Sequence, residues 1–181
     1  MAGNTYADIR AGGRPPLANL TAVTATVETI LWNVTNYTRI EANESEPGMI
    51  WKMWSGGIVT TGASGTLTIT PRVGLTVAAG ITLGASGAQT VPVSLTNVPW
   101  EMSFTLVCRS VGAPGTNSTF IGTGTFSMSG TLATAGSGMN VNFGGTVATA
   151  DASILTGLCI GWTLSVAGSV TPQYVFMQRY N

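Results

Sequence analysis

Ionisable side chains are scarce in this 181-residue sequence. Charged residues make up 8% of it, against about 25% in ordinary globular proteins, and there is no histidine and only one lysine, Lys52. Because histidine is the usual proton carrier near neutral pH, its absence argues against the common hydrolytic and transfer enzymes. The net charge of zero offers no basic footprint for phosphates, so we expect neither a nucleic-acid partner nor binding to a membrane.

Cysteine and long hydrophobic runs are scarce as well. The two cysteines, Cys108 and Cys159, lie in apolar runs, TLVCRS and GLCIGW. This setting favours buried reduced thiols, with a disulfide as the alternative. Two cysteines without histidine cannot form an ordinary zinc site, and we expect no metal and no other cofactor. No run approaches the roughly 20 apolar residues of a membrane-spanning helix, so the chain is expected to be soluble.

The charges that are present are unevenly distributed, since nine of the fourteen lie in residues 1–52. Residues 1–20 combine glycine, proline and scattered charge without apolar periodicity, which predicts an extended N-terminal arm before a single domain over residues 21–181. Such an arm is either disordered on its own or ordered by a partner. On a partner, its arginines would bond carboxylates and its apolar side chains would be buried. The arm residues concerned are Ile9, Arg10, Arg14, Leu17 and Leu20.

Apolar and polar residues alternate through much of the chain from about residue 21. In PWEMSFTLVCRSVG, every second residue from Trp100 to Cys108 is apolar and falls on one face of a strand. The same period recurs in TLTITPR, with Leu67 and Ile69 inward, in LCIGWTLSV, and in QYVFMQRY, with Tyr174 and Phe176 on one face. Further strands are predicted at 22–31, 37–40, 48–54, 88–94, 119–128 and 139–149. Roughly eight to ten strands with short connections predict an all-β, antiparallel β-sandwich, jelly-roll-like, with an extended N-terminal arm.

Threonine and glycine take the place of the missing charges, with 28 and 24 copies. β-Branched threonine suits the solvated face of a sheet. Two glycine-rich segments, GGIVTTGASG and GTGTFSMSGT, lack the Gly-Lys-Ser/Thr ending and the helix of a phosphate-binding loop, so we interpret them as tight hairpin turns. Pro71, which has no N–H to donate, is expected at a strand end or at a sheet edge.

Few carboxylates are available for acid–base chemistry. The segment EANESE, from Glu41 to Glu46, is interpreted as a solvated acidic loop, with a contribution to a cation site as the alternative. Beyond it, only Glu101 and Asp151 could form the acid pair that glycoside hydrolysis needs. Nothing in the sequence brings them together. We therefore expect that the chain is not an enzyme.

Two tryptophans, Trp51 and Trp54, are three residues apart in MIWKMW, so they point to opposite faces of a strand. We expect one in the core and the other at an edge or an interface, and we mark both as candidate subunit contacts. Exposed aromatic side chains on a β-sandwich could instead stack on sugars. The scatter of the five tryptophans along the chain favours core and subunit contacts.

Several segments between residues 28 and 128 occur in a distinctive order. They are YTRIEAN, GMIWKMWSGG, GASGTLTITPRVG, LGAS, VPW and TLVCRSVGAPGTNSTFIGTGTF. In this order they resemble a group of small structural proteins of tailed bacteriophages. The motifs are those of a fold and not of a site.

The resemblance implies a virion protein, made in the host cytoplasm and located on the capsid surface. The implied type is a capsid decoration (cement) protein, a homotrimer of β-sandwiches that binds the major capsid protein on the head shell. Such proteins carry no catalytic residues. The alternative is a tail or head-fibre domain that binds a host surface glycan. On the decoration interpretation, the candidate capsid contacts are Ile9, Arg10, Arg14, Leu17, Leu20, Arg39 and Glu41.

Overall fold

The fold is a sandwich of two antiparallel sheets. The computed structural model describes residues 26–113, 117–129 and 139–180, and within them the predicted all-β sandwich is confirmed. Its jelly-roll connectivity stays a prediction. The predicted arm, residues 1–20, lies outside the described residues, as do residues 21–25 of the predicted domain.

The described residues contain twelve strands and one short helix. Five strands span nine to thirteen residues and one spans sixteen, whereas several others are only two to four residues long. In chain order the elements are β1 Thr29–Ile30, α1 Val34–Tyr37, β2 Arg39–Ile40, β3 Ile50–Thr61, β4 Gly65–Val73, β5 Ile81–Thr82, β6 Gln89–Val91, β7 Leu95–Ser110, β8 Asn117–Met128, β9 Met139–Gly144, β10 Ala148–Asp151, β11 Thr156–Leu164 and β12 Gly168–Tyr180.

The larger sheet has the order β10-β8-β7-β3-β12, with β9 also paired to β8. Strands β9 and β10 follow one another along the same side of β8, so together they replace the single strand predicted over 139–149. The break falls at Gly144 and Gly145, whose φ angles are 98° and 92°. Backbone in this left-handed region suits glycine, and it ends the extended segment there.

The smaller sheet has the order β1-β11-β4-β5, with β6 paired to β4 and β2 paired to β11. Strands β1 and β2 lie along the side of β11 opposite β4, with α1 between them; we call this side the β1–β2 edge. The helix was not predicted, because four residues are too few to show a helical period. In the described part of the chain, no helix has the length and apolarity to cross a membrane.

The core lies between the two sheets, and aromatic rings join them. The alternate residues from Trp100 to Cys108 are buried, as predicted. Trp100 of the larger sheet contacts Trp162 of the smaller sheet with ring centroids 5.1 Å apart, and Phe126 lies 5.5 Å from Trp162. Such tilted and edge-on contacts are the favourable geometry for aromatic pairs. Both cysteines are buried and free, as predicted.

Pro71 lies inside β4 and not at its end. Its carbonyl accepts from Leu83 N at 2.8 Å, on the side where the pairing of β4 changes from β6 to β5. Pro71 has no N–H and cannot donate a hydrogen bond back to the Leu83 carbonyl. That carbonyl instead accepts from Thr146 N at 2.8 Å. The prediction of a strand end or edge was therefore wrong in position. The physical reason for it holds, since the proline nitrogen faces a gap in the ladder.

The glycine-rich segments are mostly strand and only in small part turn. Gly122 and Gly124 lie in β8 beneath the ring of Phe104, which a Cβ at either position would overlap. In the other segment, only residues 62–64 connect β3 to β4. The interpretation of both segments as hairpin turns was therefore wrong for most of their glycines. Gly56, Gly122 and Gly124 make room for aromatic side chains of the neighbouring strands.

Candidate functional site

The outer face of the larger sheet carries the most distinctive cluster of exposed and half-buried side chains. The register places one row of residues directly across four strands: Phe176, Trp54, Ser103 and Thr125. The adjacent row is Tyr174, Gly56, Glu101 and Ser127. Because these residues alternate with the buried ones, all of them point away from the core. Apart from Gly56 and Glu101, the rows are aromatic on β12 and β3 and hydroxyl-bearing on β7 and β8.

Three aromatic rings form one bank of this cluster. Trp54 and Phe176 stack with centroids 5.0 Å apart and an interplanar angle of 20°, and Tyr174 lies 6.4 Å from Phe176. Phe176 is 39% exposed. The five tryptophans all lie in the described residues, and Trp54 is the one that is not buried. An apolar, rigid surface is therefore presented to the outside of the protein.

Tyr174 crosses from β12 towards β7 because residue 56 has no side chain. A Cβ on Gly56 would lie 2.5 Å from the Tyr174 hydroxyl and 2.6 Å from the ring. The phenol thus lies over β3 and approaches Glu101. Burial, followed by the negative charge of Glu101, raises the pKa of Tyr174 above its ordinary value, so the phenol is a neutral hydrogen-bonding group at physiological pH.

Hydroxyl groups form the opposite bank. Ser103 and Thr125 are bonded to each other at 3.1 Å between their side-chain oxygens, and Ser127 follows on β8. Glu101 is exposed and lies beside them on β7. Each hydroxyl can donate one hydrogen bond and accept others, so this bank offers several sites to a polar ligand.

Between the two banks lies a shallow groove of about 260 Å³, lined by Trp54, Glu101, Met102, Ser103, Thr125, Ser127, Tyr174 and Phe176. We call it the aromatic groove. It adjoins a hollow of about 490 Å³ with which it shares Ser103 and Thr125, and another of about 410 Å³ with which it shares Glu101 and Ser127. The depression therefore continues across the outer face beyond the rings.

The two tryptophans marked as subunit contacts take different positions. Trp51 is 1% exposed and packs against Phe120 in the core, so it has no surface to offer a neighbouring subunit. Trp54 points to the opposite face, as the spacing of three predicted. Of the two, only Trp54 remains a candidate for an external contact.

The candidate capsid contacts lie partly within the described residues. Arg39 and Glu41 form an ion pair at 2.8 Å at the end of β2, with side chains 52% and 38% exposed. Both groups are therefore accessible to a partner, and exposed pairs of this kind contribute little to stability. The remaining candidates, Ile9, Arg10, Arg14, Leu17 and Leu20, lie outside the described residues.

The carboxylates singled out in the sequence are not brought together. Asp151 pairs with Asn117 and Glu101 with Ser127, which places them ten residues apart along β8, about 33 Å at the rise of a strand. Asp151 instead accepts from the Ser153 hydroxyl at 2.6 Å. The EANESE segment is not a uniformly solvated loop, because the Glu44 side chain is only 6% exposed and bonds Arg179 at 3.0 Å.

No group of three or more histidine, cysteine or carboxylate side chains that could hold a metal ion occurs in the residues that the structure describes. Lys52 is exposed, and its ammonium lies 5.2 Å from the centre of the Tyr180 ring, which is a surface cation–π contact.

Comparisons of the chain with protein-family models, with curated proteins and with solved structures find no match. The geometry of the site therefore carries the functional argument.

Sequence reasoning identified some groove residues and missed the groove. The alternation in QYVFMQRY put Tyr174 and Phe176 on one face, and the spacing in MIWKMW put Trp51 and Trp54 on opposite faces. The meeting of these residues with Glu101 was not predictable, because it depends on which strands are neighbours and in what register. Gly56, read as part of a turn, was the one local sign of a side chain lying across a strand.

Proposed function

We propose that this chain is a structural protein of a bacteriophage virion, which binds the outer surface of the head shell as a homotrimer and stabilises it. The major capsid protein is the partner. The proposal rests on the motifs between residues 28 and 128, on the low charge of the chain, and on the arrangement of the β1–β2 edge. The last of these is the structural observation that carries it.

The β1–β2 edge gathers the groups that we assign to shell binding. The first described residue, residue 26, lies three residues before β1, and we assign the predicted arm to this edge for that reason. An ion pair between Glu28 and Arg72 at 2.8 Å fixes the joint to the smaller sheet. Further along the same edge, the exposed Arg39 and Glu41 pair lies beside the end of β2. Arm and charged pair can therefore engage one partner from one side.

Trimer formation accords with the sheet edges and with the arms. Strand β12 ends the larger sheet on one side, and strands β9 and β10 end it on the other. Uncovered edge strands favour pairing with another chain. Three arms on one trimer would convert modest single contacts into durable attachment, because the second and third contacts form at high effective concentration. A neutral, threonine-rich surface is suited to close packing of copies on a shell.

The test is co-sedimentation with head shells stripped of accessory proteins. The full chain should sediment with shells at a fixed stoichiometry, and a chain lacking residues 1–20 should bind weakly while keeping its oligomeric state in analytical ultracentrifugation. Replacement of both Arg39 and Glu41 by alanine should also weaken binding. Arg109→Ala, which removes an exposed charge from the larger sheet, is the matched control and should bind as the wild type does.

Two results would contradict the proposal. If the protein is monomeric and does not bind shells, the whole proposal is wrong. If the chain lacking residues 1–20 binds shells normally, the arm has no role in attachment. Binding to host cells without binding to shells would instead favour the tail or head-fibre alternative.

A further inference from the structure

The aromatic groove places an aromatic surface beside a hydroxyl-bearing one on the same sheet face. A pyranose ring has apolar C–H faces and a rim of hydroxyls. Phe176 covers one face of the Trp54 ring, and the neighbouring residue on the other side of Trp54 is Ser103. The second face of the indole therefore borders the groove, where its negative π-surface can receive the polarised C–H groups of a sugar.

The polar bank of the groove fits the hydroxyl rim of the same ligand. Ser103, Thr125 and Ser127 supply groups that both donate and accept. Glu101 supplies a carboxylate, which accepts strong charge-assisted hydrogen bonds from hydroxyls. The Tyr174 hydroxyl, held over Gly56 beside Glu101, adds a further donor at the junction of the two banks.

The charge of the groove determines the class of ligand. Glu101 is the only charged side chain among the residues that line it. A lone carboxylate repels anions at short range, which excludes phosphorylated ligands and acidic sugars. No lysine or arginine lines the groove or the two adjoining hollows. The groove therefore excludes anionic ligands, and a neutral sugar can use the lone carboxylate as a hydrogen-bond acceptor.

The extent of the depression indicates a chain of sugar units and not a single one. Ligand pockets usually measure about 300–1,000 Å³, and the aromatic groove alone has about 260 Å³. The adjoining hollow of about 490 Å³ continues the polar bank with the hydroxyls of Thr105 and Thr123 and the amide of Asn142. An oligosaccharide could thus stack on the rings with one unit and extend along threonine and asparagine side chains with the next.

A protein partner fits this face less well. Interfaces between proteins concentrate aromatic residues at their centre but are depleted in serine and glutamate. Here serine, threonine and glutamate directly adjoin the rings and are already partly bonded to one another, as in the Ser103–Thr125 pair. The β1–β2 edge belongs to the other sheet, so shell attachment leaves the groove accessible.

We propose that the aromatic groove of this protein binds a neutral oligosaccharide, with one sugar ring stacked on Trp54 and its hydroxyls bonded to Glu101, Ser103 and Thr125. The proposal does not depend on attachment to a shell. It applies to the isolated full-length protein, so its failure and the failure of the proposed function are observed in different experiments.

The test uses tryptophan fluorescence of the full chain with four neutral probes, the hexasaccharides of glucose, mannose, xylose and N-acetylglucosamine. Because Trp54 is the one tryptophan that is not buried, a bound sugar should change its emission and protect it from acrylamide. Calorimetric titration gives the affinity. At least one probe should bind saturably. A concentration of about 10 mM is high enough to detect even weak millimolar binding, so no signal from any probe at this concentration would overturn the proposal.

Variants locate the binding site. Trp54→Ala should weaken binding by about tenfold or more, because stacking area is lost, and Thr125→Tyr should block the groove from an exposed position without disturbing the core. Glu101→Gln should weaken binding, whereas the matched exposed change Glu46→Gln should not. Tyr180→Ala, an aromatic loss on the same strand as Phe176, is the control for stacking.

The remaining outcomes decide against the proposal. Thermal unfolding shows whether each variant is folded. If Trp54→Ala does not fold, Thr125→Tyr alone tests the groove. Unchanged affinity in folded Trp54→Ala and Thr125→Tyr would place any sugar elsewhere. Dissociation of the oligomer by Trp54→Ala, with no change in sugar binding, would show that the face is a subunit interface.

Discussion

Glu28 and Arg72 are joined by two hydrogen bonds across an intervening strand. Arg72 Nε donates to Glu28 Oε1 at 2.9 Å and Arg72 Nη2 to Glu28 Oε2 at 2.8 Å, although β1 and β4 lie on opposite sides of β11. The carboxylate passes over Gly161 of β11, where a Cβ would collide with it. The joint between the β1–β2 edge and the sheet thus depends on a missing side chain.

Gly161→Ala should therefore destabilise the protein by displacing Glu28. We expect a loss of about 1–3 kcal/mol in the free energy of unfolding, the contribution of hydrogen bonds to charged groups. The three atoms nearest to the added Cβ all belong to Glu28, and no left-handed φ at Gly161 forbids alanine. In a Glu28→Ala background the same change should cost much less, with a coupling of about 1 kcal/mol or more.

Urea unfolding of the wild type, the two single variants and the double variant measures this coupling. Thr163→Ala, a change on the same strand that the described contacts do not link to Glu28, is the control. Equal cost of Gly161→Ala with and without Glu28 would show that the backbone, and not the carboxylate, requires glycine at this position.

This relationship marks the boundary of what the sequence could predict. Alternation alone assigned Leu67, Ile69 and the series from Trp100 to Cys108 to the core, because a half-buried strand must repeat every two residues. It also placed Tyr174 and Phe176 on one face. These predictions need only local information, and they were confirmed for the buried positions.

Cross-strand contacts were beyond reach, because register is set by the whole sheet. Glu28 meets Arg72 over Gly161, and Tyr174 meets Glu101 over Gly56, at separations that no local pattern shows. Gly56 was interpreted as a turn residue since glycine is common in turns, whereas Gly161 fell within a predicted strand. The role of Gly56 and Gly161 becomes clear only from the side chains that lie over them, Tyr174 and Glu28.

The thiol of Cys159 should make stability decline at alkaline pH. Burial raises its pKa from 9.0 to about 12, so between these values the folded chain keeps a proton that the unfolded chain has lost. Stability is then complete below pH 9 and falls as the pH rises towards 12, by up to about 1.4 kcal/mol per pH unit.

Cys159→Ala should flatten this decline. Urea unfolding at pH 8, 9, 10 and 11 gives the slopes, and Cys108→Ala, which keeps the Cys159 thiol, should retain most of the wild-type decline. Identical slopes for wild type and Cys159→Ala would assign the alkaline loss to other groups.

Glu44 should be structurally important although it lies in an acidic segment. Its Oε1 bonds Arg179 Nη1 at 3.0 Å and its Oε2 accepts from the Glu41 amide at 2.7 Å, which ties the segment to β12. Glu44→Gln should cost about 1–3 kcal/mol, whereas Glu46→Gln at an exposed position should change stability by no more than about 0.5 kcal/mol. Chemical denaturation of both variants at pH 7 provides the comparison, and equal losses would contradict the assignment.

Trp100 and Trp162 should respond differently to replacement by phenylalanine, although they touch in the core and are 2% and 0% exposed. Trp100 Nε1 donates to the Ile58 carbonyl at 3.2 Å, whereas Trp162 Nε1 is buried with no hydrogen-bond partner among the described residues. Each change removes the same ring atoms, but only Trp100→Phe also breaks a hydrogen bond, while Trp162→Phe removes a polar group that is costly to bury. Trp100→Phe should therefore be the more destabilising by about 1 kcal/mol in parallel urea titrations. A loss in Trp162→Phe that equals or exceeds it would mean that the indole N–H is satisfied in solution.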